Sequence, residues 1–384
     1  MKILYDRRAA IGKTTSGIPE YTRMLLRYLS TRSGDSDEYS VFFNSFRKKT
    51  VPEEVQSACA TGQGGEVVDW GIPNKAIELF SETIGIPKTG IFKKYDVLFR
   101  PHFLPLRGVR TMKDIVVFHD LSFARFPHFF SPRKRLWHRY VQPRKQAMRA
   151  DKIITVSSST RTDITDLWGI SPNKVSVVHS GINPFFREDV SKEDVIEFKK
   201  AHGLENPFFL FVGTIEPRKN IAGAIRIFEK LKEKKFFRDF KFVIVGPRGW
   251  LSKPIFDFAA RSKRASDIKF WGFASFEDLR NLYHSAFLLL YPSFYEGFGF
   301  PPLECEACGS PVAASDIGVF RETLGGSAML IPARDEDGFV SAIEGLADSP
   351  KRMSALIKAG KQNSERFRWE TAADKISKII HEEV

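Results

Sequence analysis

Two registers of apolar and polar positions alternate along this chain. Short apolar runs bounded by turn residues are followed by longer stretches in which apolar positions recur at helical spacing. In the first half the short runs are MKILYD, YSVFFN, EVVDW, YDVLFR, DIVVFH, KIITVS and KVSVVH, and in the second FFLFVG, FKFVIVG, DIKFWG, AFLLLY, SPVAAS and AMLIP. Between them, Glu20 to Tyr28 and Arg133 to Met148 read as amphipathic helices, the second with a basic outer face. Strand–helix alternation predicts parallel sheets flanked by helices, hence an α/β protein of two doubly wound sheets. The stretch from Ser180 to Pro207 mixes turn residues and charges and marks a boundary, giving domains 1–180 and 181–368 with a last helix over 369–384. A chain of 384 residues is long for one core and suits two domains.

Composition narrows the class. No run reaches the roughly 18 apolar residues of a membrane span, and MKILYDRR turns charged too soon for a signal peptide, so a cytoplasmic protein is expected. The net charge is +13, of which residues 1–180 carry +12, and residues 101–150 hold 11 basic and 2 acidic side chains. The densest part, PRKRLWHRYVQPRKQAMRA, presents Arg133, Lys134, Arg135, Arg139, Arg144 and Lys145 to an anionic membrane surface or simply to solvent. No nucleic-acid motif accompanies the charge, and nucleic acid is not an expected partner. Residues 60–66 read as a mobile loop. Cys305 and Cys308 form a C-x-x-C pair without a second ligand pair at suitable spacing, and read as buried small residues on a helix. Asp35/Asp37 and Asp335/Asp337 mimic D-x-D pairs away from any strand end, and no metal is expected.

The most informative segment is YPSFYEGFGFPPLECEACGSP, from Tyr291 to Pro311. AFLLLY reads as a buried parallel strand, Pro301-Pro302 as the opening of a helix, and the glycine loop between them as a ligand cradle at a strand's carboxyl end. Backbone amides there favour phosphate, while Glu296 and Glu304 repel phosphate and accept from hydroxyls. Together they ask for a ligand with both phosphate and sugar. Arg218 and Lys219 follow the strand FFLFVG and the turn TIEP, a fork and a point charge suited to a diphosphate.

EGFGFPPLE resembles the E-x7-E signature of the retaining glycosyltransferases of family 4. The resemblance extends in family order through SGIPEY, HDLSFARFP, KIITVS, FVGTIEPRKN, IVGPRGW and FWGFASFEDL, covering nearly the whole chain. It implies the GT-B architecture: an acceptor-binding and a sugar-nucleotide-binding Rossmann-like domain facing across a cleft, the last helix returning to the first. It implies that Glu304 binds the ribose hydroxyls and Glu296 the donor sugar, with Gly297, Phe298, Gly299 and Phe300 lining sugar and phosphate. Gly213 and Thr214 lie in the donor loop. Thr214 stands where many members carry an arginine, a duty that then falls to Arg218. By the same resemblance Gly272, Phe273 and Ala274 take the base through their backbone, His119 hydrogen-bonds the donor sugar or polarises the site, and Gly17 gives close backbone access in the first turn.

GIPEY, PHFLPL and HDLSF look most like mannosyltransferases of surface polysaccharide assembly. The implied activity is retaining, metal-independent transfer of a hexose, first of all mannose from GDP-mannose, to a glycan or lipid-linked acceptor, with possible peripheral attachment to the inner membrane face. A glycosyl phosphorylase and a catalytically silent sugar-nucleotide binder stand as alternatives.

Overall fold

The computed structural model describes residues 1–11, 17–32, 37–44, 50–60, 64–83, 89–106 and 111–384. The described chain divides into two compact units. The first comprises Met1–Arg125, Pro132–Gly181 and Arg368–Val384; the second comprises Phe126–Ser131 and Ile182–Phe367.

The first unit is built on a parallel sheet of β1 (Lys2–Asp6), β2 (Glu38–Phe42), β3 (Val67–Val68), β4 (Val97–Arg100), β5 (Lys113–Phe118), β6 (Lys152–Thr155) and β7 (Val175–Val177), in the order β3-β2-β1-β4-β5-β6-β7. The second carries β8 (Phe208–Val212), β9 (Lys241–Val245), β10 (Ile268–Gly272), β11 (Leu288–Tyr291), β12 (Val312–Ser315) and β13 (Met329–Ile331), in the order β10-β9-β8-β11-β12-β13. Each apolar run read from the sequence is one of these strands. The inner strands are buried on both faces, which is why β8 and β11 read as unbroken apolar runs and not as alternations. Strand order reverses between β1 and β4 and between β8 and β11. Such switch points open crevices at the strands' carboxyl ends, where ligands bind in open α/β sheets.

Helix ends follow local chemistry. Ser275 and Asp278 form a reciprocal capping box ahead of Phe276–Ser285, and the Asp335 side chain accepts from Gly338 N ahead of Glu336–Ala347. The amphipathic stretch Arg133 to Met148 is not one helix. It divides into Pro132–Val141 and Pro143–Arg149, with Gln142 between them in the left-handed region (φ 50, ψ 57). Proline at 143 has no N–H to continue the ladder and disfavours helical geometry at Gln142.

Phenylalanines build much of the second unit's core. Phe209 on β8 meets Phe237, Phe240 and Phe287 at ring separations of 5.7, 5.2 and 5.8 Å. The segment Phe126–Ser131, whose sequence neighbours belong to the first unit, packs into the second. Phe129 stacks on Phe294 at 5.8 Å, Phe126 meets Tyr295 at 5.5 Å, and Trp250 Nε1 donates to the Phe129 carbonyl at 2.7 Å. In the first unit the last helix, Trp369–Glu383, sets Trp369 against Tyr21 of the helix Ile18–Ser30, with ring centroids 5.5 Å apart.

Candidate active site

At the β8/β11 switch point two loops run side by side. The loop after β8 turns at Gly213 (φ 149), whose N–H donates to the Val245 carbonyl, and passes through Thr214 and Ile215 into the short turn Pro217–Lys219. Ile215 exchanges backbone bonds with Pro247 and Gly249 of the loop after β9, fixing the path of Gly213 and Thr214. Asn220 ends the turn in the left-handed region, which asparagine tolerates, and its Nδ2 donates to the carbonyls of Pro292 and Ala333, both at 3.0 Å. The loop after β11 is tied to this turn where Phe294 N donates to the Arg218 carbonyl at 3.0 Å.

This scaffold gathers four charged side chains. Lys219 Nζ donates to Glu296 Oε1 at 2.7 Å and to the Tyr291 hydroxyl at 2.8 Å. Arg218 Nη1 donates to Glu296 Oε2 at 2.9 Å and to the Tyr295 carbonyl at 2.6 Å. On its other edge, Nε and Nη2 of Arg218 meet Glu216 Oε1 at 2.9 and 2.7 Å. Glu216, Lys219 and Glu296 are buried. Burial opposes the Glu296 charge, but Arg218 and Lys219 outweigh it and hold the carboxyl down at about 2. Burial lowers Lys219 against the pull of Glu296, and raises Glu216 against the pull of Arg218. The arrangement is a cation pair at a strand end, Lys219 buried and Arg218 half-buried, already satisfied by carboxylates, and it can hold any anion able to displace one of them.

The glycine loop follows. Gly299 has φ 93, and a Cβ there would lie 2.5 Å from the Phe320 ring, so both conformation and space demand glycine. Phe298 turns inward onto Phe367 at 5.6 Å, and the segment Gly297 to Gly299 is buried. The helix opens at Phe300, one residue ahead of the proline pair, placing Glu304 a turn inside it. There Glu304 Oε2 accepts from the Tyr283 hydroxyl at 2.9 Å. Gly272 closes the edge strand β10, two strands from β8 and so roughly 10 Å from its end. Its carbonyl already accepts from Gly246 N at 2.7 Å, the Phe273 ring is 61% exposed, and Ala274 follows at intermediate burial.

In the first unit, His119 follows directly on β5 and is buried against Tyr21, whose ring meets it edge-on at 4.6 Å. Its Nε2 lies 2.7 Å from the Pro101 carbonyl. A carbonyl only accepts, so Nε2 carries the proton. Burial, opposed by that bond and by Asp120, pulls the ring down to about 4, and it is neutral near pH 7. His102 lies beside it with ring centroids 5.9 Å apart, and burial followed by His119 depresses it further. Gly17 (φ 65) caps the helix that follows β1, its carbonyl accepting from Tyr21 N.

The basic residues lie on the divided helices. Arg133, Arg135, Arg139, Arg144 and Lys145 are exposed and Lys134 is half-buried, with Leu136 (67% exposed) and Met148 (58%) among them. Among the described residues no helix is long and apolar enough to cross a membrane.

Cys305 and Cys308 are buried free thiols near backbone carbonyls. Asp37 pairs with the N-terminal ammonium at 3.1 Å, Asp335 caps its helix and Asp337 pairs with Lys230 at 2.8 Å. Asp35 and residues 61–63 of the glycine-rich loop lie outside the described residues.

Sequence reasoning missed Glu216, Tyr291 and Asn220. Glu216 and Asn220 stand within the quoted EPRKN, but a carboxylate two residues from an arginine in a turn reads as an ordinary surface pair. Tyr291 reads only as the last residue of a strand.

Two Rossmann-like units, the second with a cation pair paired to buried carboxylates at its switch point, define an α/β protein with a site able to hold an anion. Residues 192–363 match the family described as Glycosyl transferases group 1, and residues 15–185 match Glycosyltransferase Family 4. The chain belongs to the family 4 glycosyltransferases of GT-B fold. It is 29% identical over 281 residues to the O-antigen chain mannosyltransferase B of Escherichia coli, covering 73% of this chain and 72% of that protein. Its fold matches sucrose-phosphate synthase from Thermosynechococcus elongatus with a TM-score of 0.76 at 18% identity, over 99% of this chain and 98% of that one. It also matches Anabaena HepE, solved in complex with UDP and glucose, with a TM-score of 0.70 at 16% identity over 100% of both chains.

Proposed function

We propose that this glycosyltransferase moves a hexose from a nucleotide diphosphate sugar to a glycan or lipid-linked acceptor, with retention and without a metal, and that mannose from GDP-mannose is the first donor to try. The observation that carries this reading is the Arg218–Lys219 pair at the switch point. When the bond from the anomeric carbon to the diphosphate breaks, the electron pair goes to the phosphate oxygen. Positive charge fixed beside that oxygen stabilises the transition state more than the ground state. Arg218 and Lys219 supply it, and the acceptor hydroxyl's proton goes to the departing phosphate on the same face of the sugar. Glu304 and the loop Gly297 to Phe300 hold the ribose, sugar and phosphate. Backbone groups at Gly272 to Ala274 take the base. His119, neutral at working pH, hydrogen-bonds the sugar. The mannosyltransferase relative supports the choice of sugar, and the fold shared with a UDP-bound protein supports a nucleotide donor.

The test is nucleotide release from GDP-mannose, UDP-glucose and related donors in the presence of membrane-extracted acceptor. Release coupled to a glycosylated product supports the reading. Hexose 1-phosphate formed from a glycan and free phosphate would replace it with a phosphorylase, and nucleotide-sugar binding without any turnover would replace it with a silent binder.

The exposed set Arg133, Arg135, Leu136, Arg139, Arg144, Lys145 and Met148 supports peripheral attachment to an anionic membrane, which brings the enzyme to a lipid-linked acceptor. Each lysine or arginine near such a surface contributes about 1 kcal/mol. Changing Arg133, Arg135 and Arg139 together to glutamine is therefore expected to weaken co-sedimentation with anionic vesicles by roughly a hundredfold. Equal sedimentation of the wild type with neutral and anionic vesicles contradicts this part of the proposal.

A further inference from the structure

The anion site contains an anion of the protein's own. Each Glu296 oxygen rests on one cation, Oε1 on Lys219 at 2.7 Å and Oε2 on Arg218 at 2.9 Å. The rest of Arg218 is largely spoken for as well. Nε and Nη2 meet Glu216, and Nη1 shares itself between Glu296 and the Tyr295 carbonyl. A diphosphate that is to reach both cations must therefore take the place of the Glu296 carboxylate. That carboxylate is 6% exposed, so once displaced it needs new hydrogen-bond donors or it is left as a buried unpaired charge. The Tyr291 hydroxyl, beside Glu296, supplies one donor, and the hydroxyls of the group that the incoming diphosphate carries can supply the others.

We propose that Glu296 is an exchangeable internal anion: it fills the Arg218–Lys219 pair in the free protein, yields it to the donor's diphosphate, and then accepts hydrogen bonds from the sugar on that diphosphate. The proposal rests on the nucleotide-sugar reading given above. It assigns this site a selectivity that the cation pair alone would lack. A nucleotide diphosphate bearing its sugar supplies the displaced carboxylate with new partners, whereas the bare nucleotide diphosphate left after transfer does not. The site then prefers donor over spent product, and product leaves as Glu296 returns. Apparent affinity falls by the fraction of time a competent state is populated. If the carboxylate holds the pair more than about nine-tenths of the time, removing it tightens bare-anion binding about tenfold or more.

The experiment is titration calorimetry on the full chain, wild type and Glu296→Gln, with GDP, UDP, the corresponding nucleotide sugars and inorganic pyrophosphate. The expected result is that Glu296→Gln binds bare nucleotide diphosphate and pyrophosphate about tenfold or more tightly than the wild type, while the extra affinity conferred by the sugar shrinks. Equal or weaker binding of both by Glu296→Gln, with measurable binding by the wild type, overturns the proposal. Tightened pyrophosphate binding with no nucleotide or nucleotide-sugar binding by either protein supports the exchange and removes the nucleotide-sugar reading instead. Should Glu296→Gln melt too low to titrate, pyrophosphate is expected to raise its melting temperature more than that of the wild type, and Glu296→Asp to fall between the two; an equal rise in all three proteins overturns the proposal.

Discussion

Glu296 and Glu306 belong to one loop-and-helix segment, and both are buried, at 6% and 1% exposure. Their protons part company. Glu296 faces two cations delivered by the loop after β8, and is held at about 2 despite its burial. Glu306 faces the Ser327 hydroxyl and the Asn363 amide, and burial, weakly opposed by these and by Arg366, pushes it up to about 8. The bonding agrees. Ser327 has one proton but lies within hydrogen-bond distance of both the Leu324 carbonyl and Glu306 Oε1. A protonated Glu306 that donates to Ser327, which in turn donates to Leu324, satisfies every atom. One glutamate is an ionised site group and the other a neutral structural tie between the helices Phe300–Ala307 and Pro350–Ser364. The difference comes from what other segments bring to each, not from burial or local sequence.

The comparison can be broken first at the ionised end. Lys219→Ala leaves Arg218 as the one cation of the pair on Glu296 and removes the proposed contact to the leaving diphosphate. Turnover is expected to fall a hundredfold or more, at about 3 kcal/mol for one such contact, and unchanged donor kinetics would sink the assignment. At the neutral end, Glu306→Gln keeps shape and hydrogen bonds but cannot ionise. Because the fold raises this carboxyl above its ordinary value of 4.5, its contribution is fully present below that value and is lost as pH rises through about 8. Glu306→Gln is therefore expected to be the more stable protein above neutral pH, by up to roughly 4–5 kcal/mol, with little difference near pH 4. Parallel melting curves for the two proteins from pH 4 to 9 would show that Glu306 does not titrate in this window.

Smaller effects sharpen the picture. Glu216→Gln weakens the charged grip on Arg218 without touching Lys219, and is expected to lower turnover by about tenfold, or 1.4 kcal/mol, with thermal stability nearly unchanged. A fall confined to stability would make Glu216 a structural residue only. Trp250→Phe keeps a ring to stack on Phe130 but loses the bond to the Phe129 carbonyl. It is expected to cost about 1 kcal/mol, read as a drop in melting temperature, with no drop expected if the Phe126–Ser131 segment is held by its rings alone.

How much of this was readable beforehand depended on distance along the chain. The strands were legible because inner strands of parallel sheets carry unbroken apolar runs, as in FFLFV and LLLY. The break at Gln142 was not, since the apolar spacing continues through it and only Pro143 betrays it. Arg218, Lys219, Glu296 and Glu304 stood out through motif and spacing. Their grouping did not, because the bonds between Lys219 and Glu296 span a strand reversal that no local pattern records. For the same reason, nothing near HDLSFARFPHFF tells that Phe126–Ser131 packs with residues 250 and 294. Part of the chain's complement of 35 phenylalanines goes into that segment and the cluster around Phe209.

The most direct test of the central claim is thermal unfolding of wild type and Lys219→Ala with GDP, UDP, ADP and dTDP, each at about a hundred times a plausible dissociation constant, where a binder gains about 2.7 kcal/mol. The account predicts a rise of several degrees with one nucleotide in the wild type and little or none in Lys219→Ala. A wild type indifferent to all four, or a variant that responds as fully as the wild type, would contradict it.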